Sequence, residues 1–377
     1  MNIILFDDHT WDNLLPLTHT KPVSHLRLGY LTILEKWEKS LGFPCSVFCE
    51  EYLMEKFGAN ISGEYIAVNS SVLPDKSLVE KIKNLYLGEG FKHGDKIIAY
   101  KSKETIENTD SIKFYEIEVS SIHRLWDLFL LNAQQIIYDT GLIELTAKNP
   151  PENNSMIGNG KIYAGENIKA QGVSFNTTDG PIVIGNNVTI MEGSMLRGPL
   201  AICDGAVIKM GAKIYGGTTI GPKCTVGGEI KNSIFLGFSN KGHDGYIGNS
   251  VIGEWCNMGA DTNCSNMKNT LGEIKVWSIA QKQMVNTHQS FCGVFMGDYV
   301  RTSISTRMNT GLVIGVACNI FQNGYITKYL PSFSWGENQK AEIKKVHISN
   351  SRLVQLKNED YTETDQRIVN HLYDILS

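Results

Sequence analysis

Aliphatic side chains recur at every sixth residue through the middle of the chain. The first run is unbroken and comprises Ile184, Ile190, Leu196, Ile202, Ile208, Ile214, Ile220 and Val226. Neither the turn of an α-helix nor the two-residue alternation of a strand produces a period of six. The pattern predicts short strands separated by corners, with one inward-pointing side chain on each face of a solenoid.

The same period returns downstream, at Met296, Thr302, Met308, Ile314, Ile320 and Ile326. Between the two runs, Tyr246, Ile252, Met258 and Cys264 keep the spacing but begin twenty residues after Val226. We therefore expect one interrupted solenoid from which the polar string Ser239–Gly245 protrudes as a loop. Hexapeptide repeats of this kind resemble the left-handed parallel β-helix, in which three hexads make one coil.

The sequence before the repeats predicts a compact α/β unit. An apolar strand at 2–6 is followed by an amphipathic helix at 31–41, and a second strong helix is expected at 125–138. Adjacent prolines and asparagines predict a linker at 149–154. We expect an α/β domain at 1–150, a left-handed β-helix domain at 156–328 and a C-terminal tail at 329–377 with a helix at 364–376. The aromatic cluster 333–335 either caps the β-helix or packs against another subunit.

Net charge, apolar runs and cysteine spacing argue against several classes of protein. The net charge of −4, with no run of lysines and arginines, argues against binding to nucleic acid. The sequence has neither a basic, apolar leader nor an apolar run long enough for a membrane span. Eight scattered cysteines form no CxxC pair or zinc-cluster spacing, which favours a reduced, cytoplasmic protein.

Chemistry is expected where the repeat is interrupted. The segment carries Lys241, His243 and Asp244, and polar residues at 257–268 follow it closely. Histidine is the side chain best suited to accept a proton near neutral pH, so His243 is a candidate general base. The alternative is that His243 is a solvated loop residue. A three-histidine zinc site is disfavoured, because only His243 and His288 lie in the repeat region and neither is part of an HxxxxH pair.

The interruption also resembles a known motif. The segment NKGHDGYIGNSVIGEWCNMGADTNCSN is similar to the acetyltransferase half of the bifunctional glucosamine-1-phosphate acetyltransferase/uridylyltransferases, which read KxxHLxYxGDxxIGxxxNIGAGTxxxN. Five positions of the segment match at the family's spacing without a gap: His243, Tyr246, Asn257, Ala260 and Asn266. A sixth match lies upstream, where Lys231, twelve residues before His243, corresponds to the family's phosphate-binding lysine. The resemblance implies transfer of acetyl from acetyl-CoA to the amine of an amino-sugar phosphate.

The same resemblance implies a role for each matched residue. His243 is the general base, and Lys231, Tyr246 and Asn257 bind the sugar phosphate. Asn266 and the backbone of Ala260 face the coenzyme. No arginine stands at the offset where the family binds phosphate, and Arg197 is the nearest substitute. Asp261 also replaces a glycine of the GAG triplet, which bears on the coenzyme contacts.

The N-terminal part resembles a reduced sugar-1-phosphate nucleotidyltransferase. The segment LLPLTHTKPVSHLRLG matches that family's LxPLTxxxPKPLxPVxG stretch, but the glycine-rich loop that should precede it is absent. The resemblance implies that Lys21 and Arg27 bind nucleotide phosphates and that Asp7 or Asp8 holds Mg²⁺. In the alternative, Asp7 and Asp8 merely end a strand, and Lys21 and Arg27 are surface charges.

Two hypotheses for the whole chain remain open. The first is an acetyl-CoA-dependent N-acetyltransferase fused to a nucleotidyltransferase-like domain. The second is a uridylyltransferase that uses UTP, with the β-helix as a trimerisation scaffold. In both, we expect a homotrimer, because the three flat faces of a β-helix expose side chains that neighbouring shafts can cover.

Overall fold

The computed structural model describes residues 2–58, 63–106, 108–148, 152–326, 328–337 and 339–376. The expected α/β unit is present, with strands β1 (Asn2–Phe6), β2 (Cys45–Phe48), β3 (Tyr65–Asn69), β4 (Glu89–His93), β5 (Lys96–Ser102) and β6 (Lys113–Glu116). They form one mixed sheet in the order β2–β1–β3–β5–β4–β6. Since β1 is parallel to both β2 and β3, the carboxyl ends of these three strands meet at one edge.

The helices are α1 (Thr10–Asn13), α2 (Ile33–Leu41), α3 (Glu51–Phe57), α4 (Lys76–Lys83), α5 (Leu125–Asp139), α6 (Ile343–Gln355) and α7 (Glu363–Ile375), with a short 3₁₀ helix at Val23–His25. Local sequence explains the ends of α2. Thr32 and Glu35 form a capping box at its start, and Gly42 ends it with a φ of 80°, a conformation that favours glycine. The helix α6 was not expected from the sequence.

The repeats form a parallel β-helix, as expected. Ile182 pairs with Leu200, and Leu200 pairs with Thr218, so each regular coil contains three hexads. The inward side chains of successive coils make one continuous apolar core. Because each coil hydrogen-bonds only to its neighbours, the shaft is a stiff support for residues at its corners.

The β-helix has three faces, which we name by what lies against them. The docked face packs against the N-terminal unit. Its strands are Thr146–Lys148, Ile162–Ala164, Ile182–Ile184, Leu200–Ile202, Thr218–Ile220, Ile234–Phe235, Val251–Ile252, Val294–Met296, Leu312–Ile314 and Tyr329–Leu330. The tail face carries the C-terminal segment and contains Lys169–Ala170, Thr189–Ile190, Val207–Ile208, Thr225–Val226, Asn240–Lys241, Asn257–Met258, Arg301–Thr302, Asn319–Ile320, Ser334–Trp335 and Gln339–Lys340. The open face contains Ser155–Ile157, Ser174–Asn176, Met195–Arg197, Lys213–Ile214, Glu229–Lys231 and Tyr246–Gly248, and a separate pair, Asn263–Cys264 and Arg307–Met308, follows it.

The docked face is held by α5. The Asn132 carboxamide of this helix accepts a hydrogen bond from the Gly29 amide at 2.7 Å and donates one to the Gly217 carbonyl at 2.7 Å. The rings of Phe129 and Phe295 stack across the same interface, with centroids 6.1 Å apart. The N-terminal unit is therefore packed tightly along the shaft.

Two details of the predicted repeat were wrong. The string Ser239–Gly245 does not protrude, because Asn240–Lys241 is a strand of the tail face that pairs with Thr225–Val226. This coil is shorter than the regular one, so the next inward residue is Ile247 and not Tyr246, which faces outward. The true excursion comes later, as an antiparallel hairpin of Lys275–Ser278 and Gln283–Asn286.

The C-terminal helices pack beside the tail face and against α3. The ring of Phe333 meets that of Tyr373 edge to face at 5.0 Å, so this part of the aromatic cluster contacts the chain's own α7. The parallel strands of the β-helix continue as far as Ser334–Trp335, and Gln339–Lys340 pairs antiparallel with that strand. The domain boundaries themselves stay predictions. Part of the expected linker, residues 149–151, lies outside the described residues.

All eight cysteines are free thiols, and seven of them are buried. In the described segments, no helix combines the length and the apolar character that crossing a membrane requires.

Candidate functional site

His243 lies on a corner of the β-helix, between the strand Asn240–Lys241 of the tail face and the strand Tyr246–Gly248 of the open face. Its side chain is exposed, and its ring makes no hydrogen bond to any residue in the described parts of the chain. Both ring nitrogens are therefore accessible to an incoming molecule. An imidazole in this state can take a proton from an attacking amine that comes within hydrogen-bond distance.

Three of the predicted substrate residues, Arg197, Lys231 and Tyr246, lie on the open face. Tyr246 pairs with Glu229 on the adjacent coil, two residues before Lys231. Successive coils are about 4.8 Å apart, so the backbones of Arg197 and Lys231, two coils from each other, are separated by roughly 10 Å. The structure thus brings these three residues to the face that begins at the His243 corner.

A shallow cavity of about 270 Å³ opens on this face, and Arg197, Lys213 and Tyr215 contribute to its walls. The Nζ atom of Lys231 lies 6.0 Å from the centroid of the Tyr215 ring, within range of a cation–π contact. Arg197 also pairs with Asp179 at 2.7 Å, but both side chains are about half exposed, so the pair is weak. Arg197, Lys213 and Lys231 are the cationic side chains of this face that could donate to a phosphate.

Lys213 was missed by the sequence analysis. It precedes the inward Ile214, so the hexad phase alone places its side chain on the outer surface. That signal was available in the sequence, but it does not show that Lys213 shares a cavity with Arg197.

The Tyr246 hydroxyl is held by Asn266. The Asn266 side-chain amide donates to the Tyr246 hydroxyl at 3.0 Å and to the Asn249 side-chain oxygen at 2.8 Å. Burial, with a smaller contribution from Glu229, raises the pKa of Tyr246 to about 12. Tyr246 is therefore protonated at neutral pH and can donate its hydroxyl proton to a bound oxygen.

Asn257 lies on the tail-face side of the His243 corner, and Ala260 lies on the same corner one coil later, where the amide of the next residue, Asp261, donates to the Asp244 carbonyl at 3.1 Å. Asn257 is on the tail face, where its side-chain oxygen is 3.4 Å from the side-chain nitrogen of Asn240. The carbonyl of Ala260 accepts a hydrogen bond from the Ser305 amide at 2.7 Å. Within one chain, Asn257 and Tyr246 thus face different directions, on either side of the corner that presents His243.

A second cavity, of about 720 Å³, lies at the carboxyl ends of β1 and β2. The sequence analysis placed Asp7 and Asp8 together, and both contribute to its walls, along with Glu50 and Glu51. Burial raises the pKa of Asp7 to about 7, although hydrogen bonds to this carboxylate act in the opposite direction. The excess of carboxylates opposes the binding of a triphosphate.

Lys21 is not part of this cavity. Its Nζ atom lies 2.5 Å from Asp298 Oδ2 and 3.1 Å from Glu254 Oε2, both in the β-helix, and the lysine side chain is only 5% exposed. Burial alone would lower the pKa of Lys21, but the two carboxylates outweigh it and raise the pKa. Lys21, which was predicted to bind phosphate, therefore joins the N-terminal unit to the β-helix.

Arg27 is likewise engaged within the protein. Its guanidinium donates to the Tyr30 carbonyl and lies 3.6 Å from Glu35 Oε2. It is neither a free surface charge nor a residue of the acidic cavity.

The residues present do not fit the predicted Mg²⁺ site. Among the described residues, no group of three or more His, Cys, Asp or Glu side chains could hold a metal ion. The Asp8 carboxylate already accepts hydrogen bonds from the Thr10 amide at 2.9 Å and from the Asn69 side chain at 2.8 Å. The Asp7 carboxylate also accepts a hydrogen bond from the Val23 amide at 3.2 Å.

Comparison with known proteins agrees with the resemblance found in the sequence. Residues 3–148 match the sugar nucleotidyl transferase family model. The bifunctional protein GlmU of Methanocaldococcus jannaschii is 34% identical over 24% of this chain and 21% of its own length. A bifunctional sugar-1-phosphate nucleotidylyltransferase/acetyltransferase of Sulfurisphaera tokodaii is 31% identical over 26% of this chain and 24% of its own.

A longer alignment joins the chain to the bifunctional protein GlmU of Wigglesworthia glossinidia brevipalpis, with 27% identity over 60% of this chain and 49% of that protein. The aligned parts of these relatives thus span between about a fifth and a half of their lengths. A solved structure of the polySia-specific acetyltransferase NeuO aligns over 59% of this chain and 99% of its own, with 14% identity and a TM-score of 0.28, too low to support an argument. The chain is therefore similar to transferases that act in sugar-nucleotide biosynthesis.

Proposed function

We propose that this protein is an acetyl-CoA-dependent N-acetyltransferase whose substrate is an amino-sugar phosphate of the glucosamine-1-phosphate type. The observation that carries the proposal is the exposed imidazole of His243, which stands at the edge of a face bearing Arg197, Lys231 and Tyr246. Relatives named as bifunctional sugar-1-phosphate nucleotidylyltransferase/acetyltransferases support the same reaction class.

The proposed reaction needs little beyond placement and one proton acceptor. The sugar amine attacks the carbonyl carbon of the thioester, the C–N bond forms, and the C–S bond breaks. His243 accepts the proton that the amine loses, and the departing thiolate takes up a proton as coenzyme A leaves. Because a thioester is already activated, holding an unprotonated amine against it removes most of the barrier.

Each remaining residue has a role in this proposal. Lys231 and Arg197 neutralise the phosphate, and the Tyr246 hydroxyl, oriented by Asn266, donates to a sugar oxygen. Asn257 binds the sugar from the tail-face side of the corner. Asn266 and the Ala260 backbone lie toward acetyl-CoA, as the matched motif implies.

We further propose that the working form is a homotrimer in which the open face contacts neighbouring shafts. In the described chain the docked face is covered by α5, and the C-terminal helices pack beside the tail face. The open face instead presents apolar side chains to solvent, among them Ile157, Met195 and Tyr215, which are 49%, 48% and 37% exposed. Apolar surface of this kind is typical of a protein interface. The buried free thiols fit the proposed cytoplasmic location.

The proposal is tested with the purified full chain, acetyl-CoA and a panel of hexosamine phosphates, with coenzyme A release and product mass as readouts. His243→Ala should lower kcat by about 100-fold or more, as expected for loss of a general base. His288→Ala is the matched control, because His288 is also exposed but follows the hairpin strand Gln283–Asn286 and lies 3.3 Å from Glu273. If turnover is unchanged in His243→Ala, the assignment is wrong.

A second candidate, uridylyl transfer by the N-terminal domain, is favoured by the family-model match of residues 3–148. The acidic lining of its cavity and the engagement of Lys21 count against it. Release of pyrophosphate from UTP and N-acetylglucosamine-1-phosphate that is lost in Asp8→Asn but kept in His243→Ala would support this candidate. Absence of any release from the wild-type protein would reject it.

A further inference from the structure

One lysine points into the core of the β-helix. At successive coils of the tail face, the inward positions are occupied by Ile190, Ile208, Val226, Lys241 and Met258. Lys241 is 1% exposed and carries the charge in an inward row whose other members are apolar or, at Thr302, uncharged. Filling the core does not require a charged side chain, so the presence of a lysine here needs another explanation.

The buried ammonium of Lys241 does not explain itself by stabilising the fold. The Lys241 ammonium has no carboxylate within ion-pair distance in the described chain, and its hydrogen bond goes to a backbone carbonyl. Burial lowers the pKa of Lys241 to about 8, although the carboxylates of Asp244 and Asp261 on the nearby corner oppose this shift. An apolar residue of similar shape avoids the desolvation cost and often makes such a site more stable.

The carbonyl that Lys241 contacts belongs to His243. The distance from Lys241 Nζ to the His243 oxygen is 2.5 Å. Gly242 precedes His243 in the same turn, and Gly245, with a φ of 120°, follows it. Glycines leave a turn conformationally free, so a tether inside the turn restricts it most where the exposed imidazole is attached.

We propose that Lys241 is a positioning residue that anchors the His243 carbonyl from inside the β-helix and thereby fixes the direction of the exposed imidazole. This inference rests on the proposed role of His243 in acetyl transfer. A general base works only when it is held close to its productive geometry, and small displacements of such a group are costly. The lysine thus acts through His243 and does not touch the substrate.

The test replaces Lys241 by methionine, which matches the stem of lysine and recurs one coil later as Met258. We expect a folded protein of equal or greater stability, with kcat lowered about 10- to 100-fold and KM for both substrates changed less than about 2-fold. Lys209→Met is the control, because Lys209 follows Ile208 on the same corner two coils earlier and makes no hydrogen bond to His243 in the described chain. A kcat within about 2-fold of the wild type in Lys241→Met would overturn the proposal.

A second readout separates this inference from the proposed function. NMR relaxation of ¹³C-labelled histidine side chains reports the order of the His243 ring whether or not the protein has turnover. We expect the ring to be ordered in the wild type and more mobile in Lys241→Met, with His288 unchanged. If the wild type shows no acetyl transfer, the proposed function fails, while equal ring order in the two proteins rejects the positioning role. If both Lys241→Met and Lys241→Leu fail to fold, Lys241 is a structural residue and the inference is wrong.

Discussion

The Nζ atom of Lys21 lies 2.5 Å from Oδ2 of Asp298, although 277 positions separate the two residues in the sequence. The Thr20 hydroxyl donates to the same Asp298 oxygen at 2.6 Å, and Glu254 lies 3.1 Å from the lysine. Both members of the central pair are almost completely buried. This pair joins the N-terminal unit to a corner of the β-helix and is inaccessible to a nucleotide.

Removing one member of this pair should destabilise the protein. In Lys21→Met, the carboxylates of Asp298 and Glu254 lose their partner, and breaking a buried pair in this way typically costs about 3–5 kcal/mol. Chemical denaturation at pH 7 measures the change in the free energy of unfolding. Lys345→Met is the control, because Lys345 pairs with Glu342 on the surface and should change stability by less than about 1 kcal/mol. Equal stabilities for the two variants would contradict the assigned role of Lys21.

The Lys21 pair also shows what the sequence could not predict. The motif around Lys21 resembles a phosphate-binding stretch, and a phosphate and the carboxylates of Asp298 and Glu254 carry the same sign of charge. A lysine can pair with any of these anions. Which anion Lys21 binds is decided by the contact between two distant segments of the chain, and no local sequence pattern encodes that contact. The packing of α5 on the docked face through Asn132 could not be predicted from the sequence either, because it too joins distant segments.

The β-helix was predictable because its period is local. Each inward position recurs after six residues, and the pairing of Ile182 with Leu200 follows from three hexads per coil. The prediction failed where one coil is shortened. Spacing alone does not distinguish an inserted loop from a missing corner, and the charge of Lys241 favoured solvent, whereas the structure buries this lysine. His243 was found because its motif is contiguous.

Asp7 should make stability depend on pH. Its pKa is raised to about 7 in the folded protein, from an ordinary value near 3.8, so the folded state binds more protons between these values. The contribution of Asp7 to stability therefore falls as pH rises through this interval. The buried His19 and His25, whose pKa values burial lowers to about 4, act in the opposite direction, so the comparison must be with a variant.

The measurement is the free energy of unfolding between pH 4 and 7 for the wild type and Asp7→Asn. We expect the variant to gain stability relative to the wild type as pH rises, because asparagine has no proton to lose. Asp8→Asn serves as the control, because the pKa of Asp8 is lowered and its carboxyl stays ionised across most of the interval. Parallel curves for the wild type and Asp7→Asn would show that Asp7 titrates as an ordinary carboxyl.

Lys231 should contribute to binding more than to chemistry. Lys231→Ala removes a cation from the open face without touching His243, so KM for the sugar phosphate should rise about 10- to 100-fold, as expected for a charged hydrogen bond of about 1.5–3 kcal/mol. The kcat at saturation should change little. Lys169→Ala, an exposed lysine of the tail face, provides the control in the same steady-state assay. A fall in kcat with unchanged KM would place Lys231 elsewhere in the mechanism.

The exposed apolar side chains of the open face should be buried between subunits. Light scattering of the wild-type protein should give about three times the chain mass of 41.9 kDa. Met195→Glu places a charge where a neighbouring shaft is expected, and since burying an unpaired carboxylate is costly, the trimer should dissociate. Ile348→Glu is the matched control, because Ile348 is 53% exposed on α6, away from the open face. Because Met195 also lines the open-face cavity, the readout for Met195→Glu is the mass of the particle and not turnover. A wild-type protein that is monomeric at micromolar concentration would reject the trimer and require one chain to form the whole site.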